Sequence, residues 1–368
     1  MKLINLDPSK ALETERLLDS FSEEQNLRFF GTTRLDTGED FLRFTKWLSE
    51  GKHAGMSFLE NNQKFRKDPA ALEPGLTNAA VFGLPYYQGD SYGDVLSDKN
   101  SKRPAPRFAQ YSRFKDYHKL LRTKANLIVE KLKTEMELEG LCTRVVVDSA
   151  PVLERALARR TISGFTGKNT LFIDPRKGSF FLLFSVFWNL DLDVKGTFEV
   201  DNGMRSSAGG CGSCRRCSVH CPTGALDKAY SLDARKCISY YTIEHRGMIP
   251  LEYWSHLKLY VFGCDICQLV CPYNRGIKTE KDLPFHEFGF SDIFEVAVMN
   301  QNQYETWFGG TPLTRAKIWG LKRNAFIHMV VCEHPRVREV KEHFENSGNE
   351  MLMQTATQSE NYCALKKE

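Results

Sequence analysis

The chain has 368 residues, of which 42% are hydrophobic and 26% charged, and a formal net charge of +4. These proportions are ordinary for a soluble globular protein long enough for two or three cores, and the net charge alone gives no ground for a nucleic-acid partner. The longest apolar run, Phe180–Trp188 with one serine, spans nine residues, against the roughly twenty a membrane helix needs. Met1–Pro8 carries neither an apolar run nor a small-residue cleavage site, so the expectation is a cytoplasmic protein without membrane attachment.

Helical periodicity covers residues 9–25 and 38–50, the second as Phe41, Leu42, Phe44, Trp47 and Leu48, stopping at Gly51. Ala79–Tyr87 reads as a buried strand, and residues 88–106, rich in Gly, Ser, Asp and Pro, as a surface loop. A helix is expected over Tyr117–Leu138 and a β-branched strand over Thr143–Val147. Asp148 ends that strand, and Pro151 suits the first turn of a helix running to Arg160. Two apolar strands follow, Leu171–Ile173 and Phe180–Phe187. This alternation predicts a mixed α/β layer domain over 1–195.

Residues 196–285 form a cysteine-rich domain whose fold would be set by metal ligands. In 286–368, Thr311 to Val331 and Pro335 to Phe344 read as paired helices, like one unit of a helical repeat, which must pack on the cysteine-rich part. The last dozen residues read as frayed.

Eight of the chain's 11 cysteines lie between Cys211 and Cys271. The segment begins Cys211-Gly-Ser-Cys214-Arg-Arg-Cys217-Ser-Val-His-Cys221-Pro222, passes Cys237, and ends Cys264-Asp-Ile-Cys267-Gln-Leu-Val-Cys271-Pro272. Both runs end in the pattern with which bacterial ferredoxins hold 4Fe–4S clusters, where the cysteine before proline ligates the other cluster. Cys211, Cys214, Cys217 and Cys271 then form one set. Val261 stands where the second run lacks a cysteine, and Cys237 is the candidate that completes Cys221, Cys264 and Cys267. Structural zinc favours two separated Cys-x-x-Cys units, and disulfides favour small secreted chains, so neither suits this spacing. Cys142, Cys332 and Cys363 read as ordinary cysteines.

Charge is unevenly spread. From Lys99 to Lys124 there are nine Lys/Arg and one acidic residue, Asp116, interleaved with Phe108, Tyr111, Phe114 and Tyr117. Between Thr311 and Val340, Arg315, Lys317, Lys322, Arg323, Arg336 and Arg338 face only Glu333 and Glu339. Such stretches suit a phosphate backbone and stacked bases; a solvated helix face is the equal alternative.

Two 4Fe–4S clusters pass electrons singly and need a second centre for bond chemistry. No Gly-x-Gly-x-x-Gly follows a strand, and the histidines show no haem motif. Asp148, at a strand end, is a candidate site residue or a cap for the following helix. As an acid it carries a tension: a helix N-terminus favours its charged form, whereas burial would favour the protonated one.

Val147-Asp148-Ser-Ala-Pro151-Val-Leu-Glu-Arg155, Gly167-Lys168-Asn169, the eight cysteines, Cys237-Ile-Ser-Tyr-Tyr-Thr-Ile-Glu244-His245-Arg-Gly247, Gly263-Cys264-Asp265 and Thr311-Pro-Leu-Thr-Arg315 together resemble the epoxyqueuosine reductase family over about residues 40 to 335. The resemblance implies a nitroreductase-like cobalamin-binding domain, a ferredoxin-like domain with two 4Fe–4S clusters and a short HEAT-like C-terminal region. It implies reduction of epoxyqueuosine to queuosine at the tRNA wobble position, with electrons passed through the clusters to cobalamin and Asp148 as proton donor. It further implies a monomer that binds the tRNA anticodon stem-loop and draws electrons from an external reductant such as a flavodoxin or ferredoxin. Arg66, Lys168, Asn169, Ser239 and Asp265 match family positions near the corrinoid.

Phe184-Ser185 stands where the family commonly has Gly-Glu, and Phe114 replaces a usual glycine before Asp116-Tyr117-His118; both positions are expected beside the cofactor or substrate pocket. A related corrinoid reductase acting on a small molecule, dehalogenase-like, and a non-enzymatic iron–sulfur electron carrier are the alternatives.

Overall fold

The computed structural model describes residues 2–89, 105–115, 117–161, 163–192, 209–280 and 286–366. Most of the loop expected at 88–106, with Lys99, Lys102 and Arg103 of the basic stretch, lies outside them.

After the short strand β1 (Ile4–Asn5), Asp7 starts helix α1 (Pro8–Glu24). Its Oδ1 accepts the Ser9 and Lys10 N–H groups, each at 3.0 Å, while Pro8 has no N–H to leave unpaired. Strand β2 (Arg28–Arg34) was not expected from sequence: Gly31, at φ 122°, sits at a register shift that breaks the apolar alternation. Helices α2 (Gly38–Ser49) and α3 (Gln63–Lys67) precede β3 (Asn78–Pro85). Then come β4 (Arg107–Phe108), α4 (Tyr117–Glu135), β5 (Thr143–Val147), α5 (Glu154–Arg160), β6 (Phe165–Thr166), β7 (Phe172–Ile173), β8 (Phe181–Trp188) and β9 (Leu190–Asp191).

The main sheet has strand order β2-β3-β8-β5 and is antiparallel throughout. Both faces of β3 are covered, which is why it reads as one apolar run. Ala80, Phe82 and Leu84 pack with Leu18 of α1 and Leu121 and Ile128 of α4. Ala79 and Val81 pack on the other side with Phe30, Val146, Leu157 and Phe187. The alternation of helices and strands thus builds a mixed α/β layer around antiparallel pairing.

The cysteine-rich segment is different in kind. Its elements α6 (Arg216–His220), α7 (Ile238–Ile243), β10 (Tyr260–Phe262) and α8 (Ile266–Leu269) have at most six residues each, too few to stand without tertiary support. β10 runs parallel to β4, with Phe262 opposite Phe108, and ties this segment to the first.

Helices α9 (Ile293–Val298) and α10 (Gln301–Phe308) follow; capping boxes at Asp292/Glu295 and Asn300/Gln303 start them and were the overlooked sequence signal. α11 (Lys317–Val331), α12 (Val337–Glu345) and α13 (Glu350–Leu365) complete the chain. One core runs from Trp254 and Phe262 to Val296, Phe326, Phe344 and Leu352, so these helices pack on the cysteine-rich part. The expected fraying of the last dozen residues is corrected: α13 extends through Leu365 and buries Ala356 and Tyr362, whose ring lies 5.4 Å from Trp254. Its apolar positions are too sparse to announce a helix without the surface that receives them. Among the described residues no helix is long and apolar enough to cross a membrane.

Candidate active site

β5 ends at Val147, and Asp148 then adopts a φ of 39°, a conformation uncommon for a residue with a side chain. The Tyr117 hydroxyl donates to Asp148 Oδ2 at 2.8 Å, and His118 Nε2 lies 3.4 Å from the same oxygen. The Asp148 N–H donates to Glu154 Oε1 at 2.9 Å. The aspartate side chain remains 63% exposed, so it is anchored from behind and open in front. The His118 hydrogen bond holds the carboxyl below the usual carboxylate range; partial desolvation opposes this, and Tyr117 and Arg315 reinforce it. Burial, aided by the charge of Asp148, pushes Glu154 up to about 8.

The capping role for Asp148 is overturned. α5 starts at Glu154 instead of Pro151, its N-cap is Leu153, and no side chain caps it. The turn after β5 uses up the intervening residues before the helix begins.

Facing this turn, Tyr111 lies within electrostatic reach of Asp265, Asp148, Glu244 and Arg315, and burial keeps its phenol neutral. Arg315 Nε donates to Glu244 Oε1 at 2.8 Å, and its guanidinium sits 5.0 Å from the Phe58 ring centre. Four separate stretches therefore meet here: the segment before α4, the turn after β5, the end of α7 and the turn between α10 and α11.

All eight cysteines of the segment are free thiols. Cys271 lies within electrostatic reach of Cys211, Cys217 and Cys214. Cys264 lies within electrostatic reach of Cys267 and Cys237, and Cys267 within reach of Cys237, Cys221 and Cys217. Neighbours drawn from both cysteine runs and from Cys237 therefore surround these thiols. Among the described residues no three His, Cys, Asp or Glu side chains converge as a single ion requires. Burial pushes the Cys237, Cys264 and Cys267 thiols up, so thiolates at these positions would need a cationic partner.

The other expected cofactor contacts divide. Lys168 donates its N–H to Cys211 Sγ at 3.3 Å and its ammonium to the Gly212 and Cys214 carbonyls at 2.6 and 2.9 Å. Asn169 Nδ2 donates to the Cys267 carbonyl at 3.3 Å, and the Ser239 hydroxyl bonds the Cys237 sulfur. These three therefore touch the cysteine foursomes. Asp265 is buried, and its Oδ2 accepts the Gln110 N–H at 2.8 Å; burial pushes it up to about 7. Arg66 is buried on α3, donates to the Asn61 carbonyl and lies 5.6 Å from the Phe44 ring centre.

Nearby, Gly55 N–H donates to the Tyr240 hydroxyl at 3.0 Å, which joins the 51–62 loop to α7. His53 Nε2 is 2.7 Å from Glu60 Oε1, and its buried Nδ1 has no hydrogen-bond partner among the described residues. That orphaned nitrogen and the buried Arg66 fit a large ligand rich in amide and phosphate groups.

Sequence reasoning gave Tyr117, His118, Glu154 and Tyr111 no role beside Asp148, and it offered Phe108, Phe114 and Tyr117 for base stacking, whereas all three are buried. Glu154 and the Tyr117-His118 pair stood within the family-like motifs, but only the fold aims them at Asp148. Two other expectations move. Lys322 and Arg323 are buried: Lys322 donates to the Met299 carbonyl at 3.1 Å, and Arg323 to those of Tyr241, His245 and Gly247. They hold the core and are withdrawn from the basic face, where Arg315, Lys317 and Trp319 remain exposed. Phe114 and Phe184 are core residues, packed on Tyr86 and Phe82, and Ser185 is fully buried in the sheet.

A family profile described as a 4Fe-4S double cluster binding domain matches residues 210–274, and one described as "Epoxyqueuosine reductase QueG, DUF1730" matches residues 66–149. The epoxyqueuosine reductase of Pseudomonas aeruginosa is 33% identical over 319 residues, 85% of this chain and 84% of that protein. That of Xanthomonas campestris pv. campestris is 36% identical over 315 residues, 84% of each. The solved epoxyqueuosine reductase of Streptococcus thermophilus superposes with a TM-score of 0.79 at 24% identity, covering 94% of this chain and 89% of that one. Another, solved with an epoxyqueuosine-modified tRNA-Tyr stem loop, gives a TM-score of 0.77 at 24% identity over 95% and 90%.

Proposed function

We propose the chemistry of the site from one premise: the chain belongs to the epoxyqueuosine reductase family. It is an oxidoreductase that converts epoxyqueuosine to queuosine in tRNA and binds iron–sulfur clusters. The net change is removal of the epoxide oxygen as water, with two electrons and two protons consumed and an alkene left in the ring.

The observation that carries the finer reading is the anchored yet open carboxyl of Asp148, set opposite Tyr111, Glu244 and Arg315 and close to the Cys237 and Cys264 stretches. Cys211, Cys214, Cys217 and Cys271 hold one 4Fe–4S cluster, and Cys221, Cys237, Cys264 and Cys267 the other. Cobalamin, when bound, supplies a low-valent cobalt able to reduce the epoxide carbon by two electrons. Arg66 and His53 would hold its polar periphery, and Asp265 is carried over from the family as a further neighbour. Lys168, Asn169 and Ser239 are carried over from the family as corrinoid neighbours, and their hydrogen bonds to the cysteine loops would hold them at that edge.

Asp148 is the proton donor to the oxygen released from carbon. Its carboxyl alone is a poor acid, because His118 and Tyr117 both favour its charged form. His118 and Tyr117 orient the carboxyl toward the substrate side, and the substrate's approach has to desolvate it before it can deliver a proton. Tyr117 and Glu154 fix the turn, one through the carboxylate and one through the backbone. Arg315, restrained by Glu244, presents positive charge to the developing alkoxide.

The domains span 1–195, 196–285 and 286–368, the first nitroreductase-like and cobalamin-binding, the last HEAT-like. Lys115, Arg122, Lys317 and Trp319 are exposed and would meet the anticodon stem-loop. The chain acts in the cytoplasm as a monomer and takes electrons from a flavodoxin or ferredoxin. The dehalogenase-like and pure electron-carrier alternatives are not favoured, since the curated relatives carry the tRNA-modifying name. Reconstituted with clusters and cobalamin and given a strong reductant, the protein should convert epoxyqueuosine-containing tRNA to queuosine tRNA. Absence of conversion at full cofactor loading would sink the reading.

A further inference from the structure

The two cysteine runs differ in exposure. Cys237 opens α7, whose far end carries Glu244, and Cys264 precedes Asp265; both acids lie within electrostatic reach of Tyr111 and so border the active site. Gly263 and Asp265, which flank Cys264, are buried. The first run is turned outward: Gly212, Ser213, Arg215, Arg216, Val219 and His220 are exposed, Val219 at 70%.

This outer face is positively charged and unpaired. Between Gly209 and Leu226 there is no acidic residue, and among the described residues neither Arg215 nor Arg216 forms a salt bridge, in contrast to Arg235, bonded to Asp233 at 2.7 Å. Lys168 adds an ammonium bound to two carbonyls of the same loop, which leaves its charge uncompensated. Tyr230, 54% exposed, lies within reach of Cys211. An apolar contact ringed by unpaired cations, directly over redox ligands, is what a brief electrostatically steered encounter requires.

We propose that the surface around Arg215, Arg216 and Val219 docks an acidic one-electron carrier protein and is where electrons enter the chain. The proposal rests on the reading that the foursomes hold clusters. The carrier loses one electron per encounter, and the cluster on the first run gains it, passing from its 2+ to its 1+ state. Two encounters deliver the pair of electrons that one epoxide consumes, and the foursome beside Asp148 lies between entry and substrate.

The test is rapid mixing of cluster-loaded, cobalamin-free protein with an acidic flavodoxin in its hydroquinone form, following the loss of cluster absorbance. The double substitution Arg215→Glu/Arg216→Glu should lower the second-order rate roughly 10- to 100-fold at low salt. The unsubstituted protein should slow steeply with added salt, and Lys10→Glu, a distant exposed change, should react as the parent does. Reduction by dithionite, which needs no docking, should be the same in all three. An unchanged flavodoxin rate in the double variant, or a rate insensitive to salt, overturns the docking surface. Failure of dithionite to bleach the unsubstituted protein would overturn the cluster reading, and the docking surface with it.

Discussion

The antiparallel sheet and the cysteine-rich segment are neighbours built on opposite principles. In the sheet, β3 and β8 pair over eight residues in continuous register, and both faces are sealed by Phe, Val and Leu side chains from three helices. Between Cys211 and Cys271 no helix exceeds eight residues, and burial raises several thiols above their ordinary range. The first region is held by area removed from water, the second by ligands it must bind. The lesson is a division of labour: a packed sheet presents Asp148, and a lobe that binds iron–sulfur clusters lies beside it.

The sharpest way to break that contrast is Cys264→Ser. Its expected result is loss of about half the iron and of amide protection across 210–274, with the sheet still protected. Iron assay and hydrogen exchange together measure it, and full iron with unaltered protection would erase the distinction.

Asp148→Asn sits on the rigid side and should leave both regions intact. Asparagine keeps the shape and loses the acid, so turnover should fall about 10²- to 10⁴-fold, with iron content and cluster spectra unchanged. Single-turnover assays on substrate tRNA would expose near-normal activity if another group donates the proton.

Phe82→Ala is the mirror of the cysteine change. Phe82 is fully buried and stacks on Phe184 with ring centres 5.2 Å apart, so truncation should cost about 3–5 kcal/mol. Denaturant titration should register that loss in the sheet while iron per chain stays constant; a parallel loss of iron would mean that the two regions are not independent.

The smallest effect is expected at the hinge of the comparison. Glu154 has its pKa raised from 4.5 to about 8 in the folded chain, so the fold binds a proton that the unfolded chain has released. That contribution is complete below pH 4.5 and fades as pH rises through about 8. Glu154→Gln keeps an acceptor for the Asp148 N–H and removes the titration. Across pH 5 to 9 its melting temperature should decline less than that of the parent, and identical slopes would place the proton elsewhere.

Much of this was legible in the chain itself. The cysteine spacing announced a segment that binds two 4Fe–4S clusters before any fold was seen, because cluster ligation is written in short intervals whose geometry is local. The strand Thr143–Val147 and helices α1 and α2 were equally legible, since each repeats one period without interruption. Strand β2, broken by a bulge at Gly31, and helix α13, whose apolar positions are sparse, gave no such signal; partners distant in sequence made them.

The site divides along the same line. Asp148 could be named from its motif, but its neighbours could not be given roles, because Tyr117 and His118 reach it across 31 and 30 positions of chain. Nor does a count of charges reveal that Lys322 and Arg323 turn inward while Arg215 and Arg216 turn out. A sequence records which residues can bond or ligate. Which of them meet, and which face water, depends on how non-local surfaces close, and only the packed tertiary structure decides that.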